Sequence, residues 1–600
     1  MPHTFVRLPT VLAALGAAAL ALPAHAQTAP AQRLASPPPT AAARQQAAQQ
    51  ARDSVRSLRR ARSAQSEFER VRFNELPWTF DSGHPDRCDE IVGRFCFWFG
   101  DKDEEKRDPP PEAKPVGVAR GELVSRLARA ATEHPGDEWV MGQLVRYQVE
   151  ARRADDALAT ARACRATAWW CGALTGYALH ARGDYAAAEA AFDAALASMP
   201  QRRRHDWTDL GLLLSPGERR QYNRMRPAQR DSVERVFWRL ADPMVSTPGN
   251  EARTEHLSRW VMARLNERAQ STDGLRWGSD LGEFLLRYGP PDAWERVRQP
   301  MPTAARANVV SHYASHAWSF IPRLRDLANP SALKPDAWEP DPDQPRVQYP
   351  VGYARSFEKL EPQVAVFRRG GQAVVLAAYD MDADSVPAAS PVSNALVLDP
   401  GTGHEPIVVR GTAVGARGVL RADAVPAPAL LSLEVRADSV KRAGRARFGL
   451  PLAPPPATGI HLSDILLLTR GDSLPTSLEE ATPLARGTYR VKPGERLGLF
   501  WEVYGLASQN DTLTLGVSIA RTNQPGFARR AAERIGLASR GTPVKVGWKE
   551  ESGGRTILGR SLAVTLPDLS PGEYSLQISV QRGAEPPVLT TRKLIVPKPR

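Results

Sequence analysis

The sequence predicts a multidomain α + β chain, with helical repeats in the N-terminal half and two antiparallel β-sandwiches at the C-terminal end. Three observations predict it. Residues 117–204 are helical in pattern, and small and large residues recur there at an offset of 34: Gly142 with Gly176, Ala154 with Ala188, Leu158 with Phe192, Ala161 with Ala195. From about residue 345 the apolar residues alternate with a period of two, with no helical stretches between the strands. Two such β stretches are separated by 451–458, a segment with four prolines between Pro451 and Pro456.

Six hundred residues exceed what one hydrophobic core serves, so three or four domains are expected. Residues 1–26 read as a cleavable export signal. His3 and Arg7 precede an apolar run from Val11 to Leu22, and Ala24-His25-Ala26 fits a small-x-small cleavage site. That run is shorter than the roughly 20 residues a membrane-spanning helix needs, and no later segment is long and apolar enough. The expectation is a periplasmic or extracellular protein without a transmembrane segment in the mature chain. A leader rich in Ala, Pro and Gln follows at 27–45 and reads as disordered. Residues 46–116 combine a helix, begun at about Ala41, with an irregular cysteine-containing segment.

The net charge of +13 lies mostly on arginine, in clusters such as Arg59-Arg60 and Arg202-Arg203-Arg204. No aromatic-plus-basic stacking pattern accompanies them, and the export signal argues against nucleic acid. Solvated faces are expected, with anionic envelope lipid or polysaccharide as the alternative contact. Cys88, Cys96, Cys164 and Cys171 are an even set in an oxidising context. Three connectivities are open, and Cys88–Cys96 with Cys164–Cys171 closes the shortest loops. Neither pair has zinc-ligand spacing, and no cofactor motif is present, so neither a metal nor a cofactor is expected. His312 and His316 stand at helical ligand spacing but lack the glutamate a zinc protease needs, and read as packed or surface residues.

The 34-residue offset, with Gly183-Asp184-Tyr185 at a turn and Pro200 after it, resembles the tetratricopeptide repeat. The resemblance implies stacked helix pairs with a concave surface for a protein partner.

Residues 205–340 carry the most specific pattern. Phe237-Trp238 is followed by Asp242-Pro243, then Thr247-Pro248-Gly249-Asn250-Glu251 and an amphipathic helix with Leu257, Trp260, Val261, Arg264 and Leu265 on one stripe. Arg276-Trp277-Gly278-Ser279-Asp280 comes next, then an apolar stretch to Tyr288 and the turn Gly289-Pro290-Pro291-Asp292. In this order the blocks resemble the GWxTD domain of exported bacterial proteins, with Arg276 in place of the glycine and Ser279 in place of the threonine. The resemblance implies an architecture, with a short strand before the Gly-Pro-Pro-Asp turn, and no established reaction. Asp242, Glu251, Glu255, Asp280 and Glu283 are the residue types that general acid–base chemistry on a glycan or peptide would use. Trp277, Phe284, Leu286 and Tyr288 read equally as core, and Asp280 as a turn cap.

The two β stretches, 341–450 and 459–600, each supply enough strands for a sandwich, the second with about the seven of an immunoglobulin-like domain. Arg368-Arg369-Gly370-Gly371 marks a hairpin turn. The expected function is non-enzymatic, an interaction or assembly platform in the envelope. A carboxylate-based hydrolase of envelope polymer and a carbohydrate-binding protein with aromatic platforms on a sheet are the alternatives.

Overall fold

The computed structural model describes residues 40–79, 89–97, 111–272, 274–297, 309–313, 316–334, 348–381, 385–401, 404–469, 474–507, 510–522 and 544–598. The export signal, most of the leader, Cys88 and the insertion at 524–540 lie outside them. Residues up to Val55 form a unit of their own, whose described part is the leading stretch of helix α1 (Ala41–Asn74). Everything from Arg56 onward belongs to a second unit.

From Ala61 on, α1 buries Ala61, Ala64 and Phe68. They enter a core shared with α2 (Lys114–Glu133), α3 (Glu138–Glu150), α4 (Ala154–Ala163), α5 (Ala168–Arg182) and α6 (Tyr185–Ser198). The links between these last five helices are a few residues long, so neighbours pack in sequence order. Caps set their boundaries. Asp137 accepts from the Val140 amide at the start of α3, and Asp184 does the same for Ala187 in α6. The paired glycines have a packing cause. A β-carbon on Gly142 would come 2.5 Å from Leu265, and one on Gly176 would come 2.8 Å from the Phe192 ring. The arginine clusters are mainly exposed, with Arg203 laid over Trp169.

Helices α7 (Gln201–Thr208), α8 (Pro216–Asn223), α9 (Pro227–Ala241), α10 (Glu251–Asn266) and α11 (Ser279–Tyr288) follow. The amphipathic stripe of α10 packs on α3, α5 and α6, where Leu257, Val261 and Leu265 join their core. Gln143 donates to the Leu265 carbonyl at 2.7 Å and Arg264 pairs with Glu138 at 2.5 Å. A face of α3, α5 and α6 is thus covered by the chain's own α10.

In the first β region a three-stranded sheet has the order 417–424, 372–380, 363–369. A five-stranded sheet has the order 407–414, 391–399, 429–437, 442–450, 356–359. Only the pairing of the last two strands is parallel. The sheets share a core built from Val375, Ala377, Leu396, Leu431 and Leu433 among others. The hairpin at Gly370-Gly371 falls where the sequence places it. The sequence reading has no strand over 442–450, because Arg442, Arg445 and Arg447 mask its alternation. Arg445 and Arg447 are buried all the same, on the face turned toward the helices.

In the second β region Arg496–Tyr504 pairs with Ile557–Thr565 on one side and with two short strands on the other. Opposite lies a four-stranded sheet in the order 544–551, 512–521, 572–582, 588–596. Trp501, Leu515, Leu576 and Leu594 fill the space between. The proline-rich linker does not leave the two β regions apart. Ala365, Phe367 and Val374 of the first share a core with Leu466, Leu478 and Phe500 of the second. The second region also covers an edge of the first. The amides of Val364, Val366 and Arg368 donate to the Tyr489 hydroxyl, the Asp464 carboxylate and the Tyr504 hydroxyl, each at 3.0 Å. An edge strand covered in this way cannot recruit foreign strands.

Candidate functional site

The motif residues fall into two clusters joined by α10. The first is the elbow between α9 and α10. Phe237 and Trp238 are buried on the last turn of α9, and Asp242 ends that helix with its carboxylate accepting from the Met244 amide at 3.2 Å. Asn250 caps α10 by accepting from the Arg253 amide at 2.9 Å, and its side-chain amide donates back to the Trp238 carbonyl at 2.6 Å. One side chain therefore ties the end of α9 to the start of α10. Gly249 lets the elbow press on α6, because a β-carbon there would lie 2.3 Å from the Ala186 backbone nitrogen.

The β region supplies the other half of this elbow. Arg445 donates to the carbonyls of Asp242 and Pro243, both at 3.0 Å, and Arg447 to those of Leu240 and Asp242, both at 2.9 Å. Glu434, 1% exposed, accepts from Arg447 at 3.1 Å and from the amides of Val245 and Ser246 at 3.0 and 2.8 Å. Carbonyls at a helix end lack intrahelical donors, so these arginines satisfy groups that burial would otherwise leave unpaired.

Glu251, the first residue of α10, is fully buried and accepts from the hydroxyls of Tyr353 and Tyr349 at 2.7 and 3.1 Å. Burial raises its carboxyl to about 7 in spite of those two donors. Burial, reinforced by nearby Glu251, pushes Asp242 well above the usual carboxylate range. One turn on, Glu255 accepts from Arg259 at 2.7 Å and pairs with His180 at 2.8 Å. Its burial works toward protonation, but the Arg259 charge and the His180 hydrogen bond prevail and hold it at about 2. His180 also meets the Thr254 hydroxyl at 3.0 Å. This Thr–His–Glu order has the form of a nucleophile relay. Thr254 is fully buried, however, its hydroxyl also faces the Asn250 carbonyl, and the cavity beside Glu255 holds only ≈ 10 Å³.

The second cluster is the start of α11. Asp280 takes a two-pronged hydrogen bond from Arg94, at 2.5 and 3.0 Å, which holds its carboxyl at about 2. Arg94 sits in the turn between the short strands Glu90–Val92 and Phe95–Phe97. Phe97 stacks on Tyr288 at 3.8 Å, and Phe95 meets Phe284 edge-on. Glu90 accepts from Arg287 and from the Tyr288 hydroxyl, and Glu283 pairs with Arg287. The aromatic stretch around Cys96 is thus packed on α11. Trp277 is half-buried and Ser279 exposed. The segment before Gly289-Pro290-Pro291-Asp292 is helical, a correction to the expected strand. Phe284, Leu285 and Tyr288 recur at helical spacing, and a short apolar run alone cannot separate the two states. Asp292 donates its amide to His312 across the start of the next strand pair.

The helical spacing of His312 and His316 is also corrected. His312 ends a strand and pairs with Glu295 at 3.3 Å, while His316 stands exposed in a bend. Among the described residues no group of three His, Cys, Asp or Glu side chains is arranged to hold a metal ion. Cys164 and Cys171 are joined in a disulfide, and Cys96 is not a free thiol. No described helix is long and apolar enough to cross a membrane. The exposed large apolar side chains on the two β regions are aliphatic, among them Ile407, Val414, Val546 and Leu589.

One cleft opens beside the elbow, with a volume of ≈ 670 Å³. Glu234, Trp238 and Asp242 of α9 line it together with Glu189 of α6 and Arg253 of α10. Arg253 pairs with Glu189 and Asp193 at 3.1 and 2.6 Å, while Asp231 and Arg235 stand exposed at the rim. Sequence reasoning found Asp242 but missed Glu234 and Arg235, because nothing in a run of charges on a helix marks which of them face a cleft.

No family model and no curated protein matches the sequence. Among solved structures it is similar over 40% of its length to a red sea bream transglutaminase, at 10% identity and a TM-score of 0.14. It is similar over 44% to the FN1–FN3 domains of chicken CNTN1, at 11% and 0.14. A third match, over 51% at 7% and 0.14, is to a protein described as a β-galactosidase from Bacteroides fragilis. These alignments span 32%, 76% and 40% of the respective chains, and scores this low bear on neither fold nor function.

Proposed function

We propose that this chain acts outside the cytoplasm as a binding and assembly protein, and that its protein partner docks in the cleft beside the α9–α10 elbow. One observation carries the reading. Of the five acidic residues suited to catalysis, four are paired or enclosed away from the cleft and Asp242 lines it, while the cleft presents charged side chains at an open rim. Arg94 holds Asp280, Arg287 holds Glu283, and Glu251 and Glu255 are enclosed. With α10 covering a face of α3 and α5, the cleft, walled partly by α6, is open surface beside the motif residues.

A hydrolase reading draws on the same cleft, since burial raises both Asp242 and Glu234. Each already accepts from an internal donor, however, Glu234 from the Tyr222 hydroxyl at 2.5 Å and Asp242 from the Met244 amide at 3.2 Å, which favours binding.

A photo-crosslinking residue at Arg235, with another at the exposed Val118 of α2 as control, tests the proposal in intact cells. A discrete protein adduct at Arg235 and none at Val118 is expected. The absence of any adduct at Arg235, or the same adducts at both sites, overturns it. Turnover of isolated envelope polymer that is lost in D242N would instead favour the hydrolase.

A further inference from the structure

We propose that strand Ile407–Val414 is a self-association edge, at which a second copy of this chain adds its own 407–414 antiparallel and makes one continuous sheet of the two five-stranded ones. The strand lies at the end of its sheet and pairs on one side only, with Pro391–Asp399. Its register there is regular from Pro391↔Val414 to Leu398↔Ile407, and the Gly415 amide continues it by donating to the Ser390 carbonyl. Because backbone groups alternate in direction along a strand, Ile407, Val409, Gly411 and Ala413 turn theirs to the neighbour. Val408, Arg410, Thr412 and Val414 then turn their N–H and C=O groups outward. Among the described residues no backbone partner meets them.

Three other long edges of the two β regions carry the usual protection. The edge at 363–369 is covered by Tyr489, Asp464 and Tyr504. Strand 417–424 carries Arg417, Arg421 and Asp423, all exposed, and strand 544–551 carries Lys549 and Glu551. Strand 407–414 has no proline, lysine or bulge; its one charged residue, Arg410, is exposed but donates to the Ser246 carbonyl of the same chain at 3.2 Å, and its Val414 is 72% exposed.

The strand is also complementary to itself. A two-fold axis perpendicular to the sheet keeps each face on its own side, so opposed residues must share a face. Centring the axis on Gly411 sets Val408 opposite Val414, Val409 opposite Ala413 and Arg410 opposite Thr412. Four outward-facing residues on each copy then exchange about eight backbone hydrogen bonds. At the axis itself two glycines meet, leaving room for the close approach of a non-hydrogen-bonded pair. Shifting the axis to Arg410 gives about six bonds and sets two like charges against each other, which is unfavourable. The Gly411 register is therefore the one the edge selects. A strand of this length buries less than the ~800 Å² per partner of a standard interface, so the dimer is expected to be weak.

Sedimentation equilibrium of the full chain up to about 100 µM tests the proposal. The expected result is a monomer–dimer equilibrium. V414K, which places a lysine on the edge, and T412P, which removes an outward N–H, should each raise the dissociation constant at least about tenfold. V425K, at an equally exposed valine off this strand, should leave it unchanged. T412R, opposing like charges to Arg410, should weaken the dimer, and T412E should not. A chain that stays monomeric at about 100 µM overturns the proposal, even if it accepts a foreign extended peptide at this edge. A dimer indifferent to both V414K and T412P overturns it as well, and circular dichroism of each variant separates loss of pairing from loss of fold.

Discussion

The guanidinium of Arg259 lies against Gly289, 3.0 Å from where a β-carbon on that glycine would stand. Arg259 is 1% exposed and projects from the middle of α10, where it donates to Glu255 at 2.7 Å and to the carbonyls of Leu286 and Arg287 at 3.3 and 3.1 Å. A fourth contact runs to the Gln348 carbonyl. Gly289 takes φ +83° as it ends α11. The Gly-Pro-Pro-Asp turn thus works as a seat for an arginine that fastens α11 to α10 and to the strap leading into the first β region.

Replacing Gly289 with alanine should therefore be costly for two separable reasons, a strained positive φ and a clash with a buried guanidinium. Together these place the loss at about 2–3 kcal/mol of unfolding free energy. Gly282, in the same helix, is the internal control. Nothing lies within 4 Å of its would-be β-carbon, so G282A should stabilise by about 0.5–1 kcal/mol. Denaturant titration of both variants checks the pair, and a neutral G289A would show that the seat is looser than described.

The sequence disclosed this region unevenly, and the reasons are physical. Local signals carried the caps, hairpins and close helix contacts: Asn250 before an amphipathic run, Gly370-Gly371 between alternating strands, Gly142 and Gly176 where helices press together. Signals that depend on distant partners did not appear. Nothing near Arg445 or Arg447 says that they end in the carbonyls closing α9, about 200 positions earlier. Arg259, which no local signal singles out, is the buried link among three segments. The helix at 279–288 was read as a strand because ten residues leave the period ambiguous, and its partner Arg94 lies 186 positions away.

Asp280, the acidic residue of the most specific motif block, should prove dispensable for stability. Its partner Arg94 is 54% exposed, and ion pairs of that kind contribute about 0–1 kcal/mol. D280N should lower unfolding free energy by no more than about 1 kcal/mol, measured in low and in high salt. A loss of several kcal/mol would mean that the pair is shielded from solvent.

The Cys164–Cys171 disulfide spans the link between α4 and α5. A loop of that length constrains the unfolded chain by about 2–2.5 kcal/mol in the chain-entropy model. The double serine variant should lose about that much and keep its helical circular dichroism, since Leu158, Ala161 and Trp170 remain packed around it. Helix content that collapses in the variant would assign the bridge a larger role than loop closure.

Stability should be greatest near pH 4.5–5 and fall toward neutrality, because of Glu251. In the folded chain its carboxyl is raised to about 7, against an ordinary 4.5. Between those values the native state holds a proton that the unfolded chain has released, so unfolding becomes easier as pH rises and the effect levels off above about 7. The difference corresponds to about 3 kcal/mol as an upper bound, with Asp242 acting in the same direction. Below pH 4.5 the sign reverses. Glu255 and Glu150, both held at about 2 by buried arginines, stay charged in the folded chain while the unfolded chain takes up protons, so their contribution is lost as pH falls from about 4.5 toward 2. Denaturant titrations from pH 3 to 8 should trace this maximum, and E251Q should flatten most of the slope between pH 5 and 7. If E251Q keeps the full slope, the proton resides elsewhere and the Tyr349–Glu251–Tyr353 hydrogen bonds hold a permanently charged carboxylate.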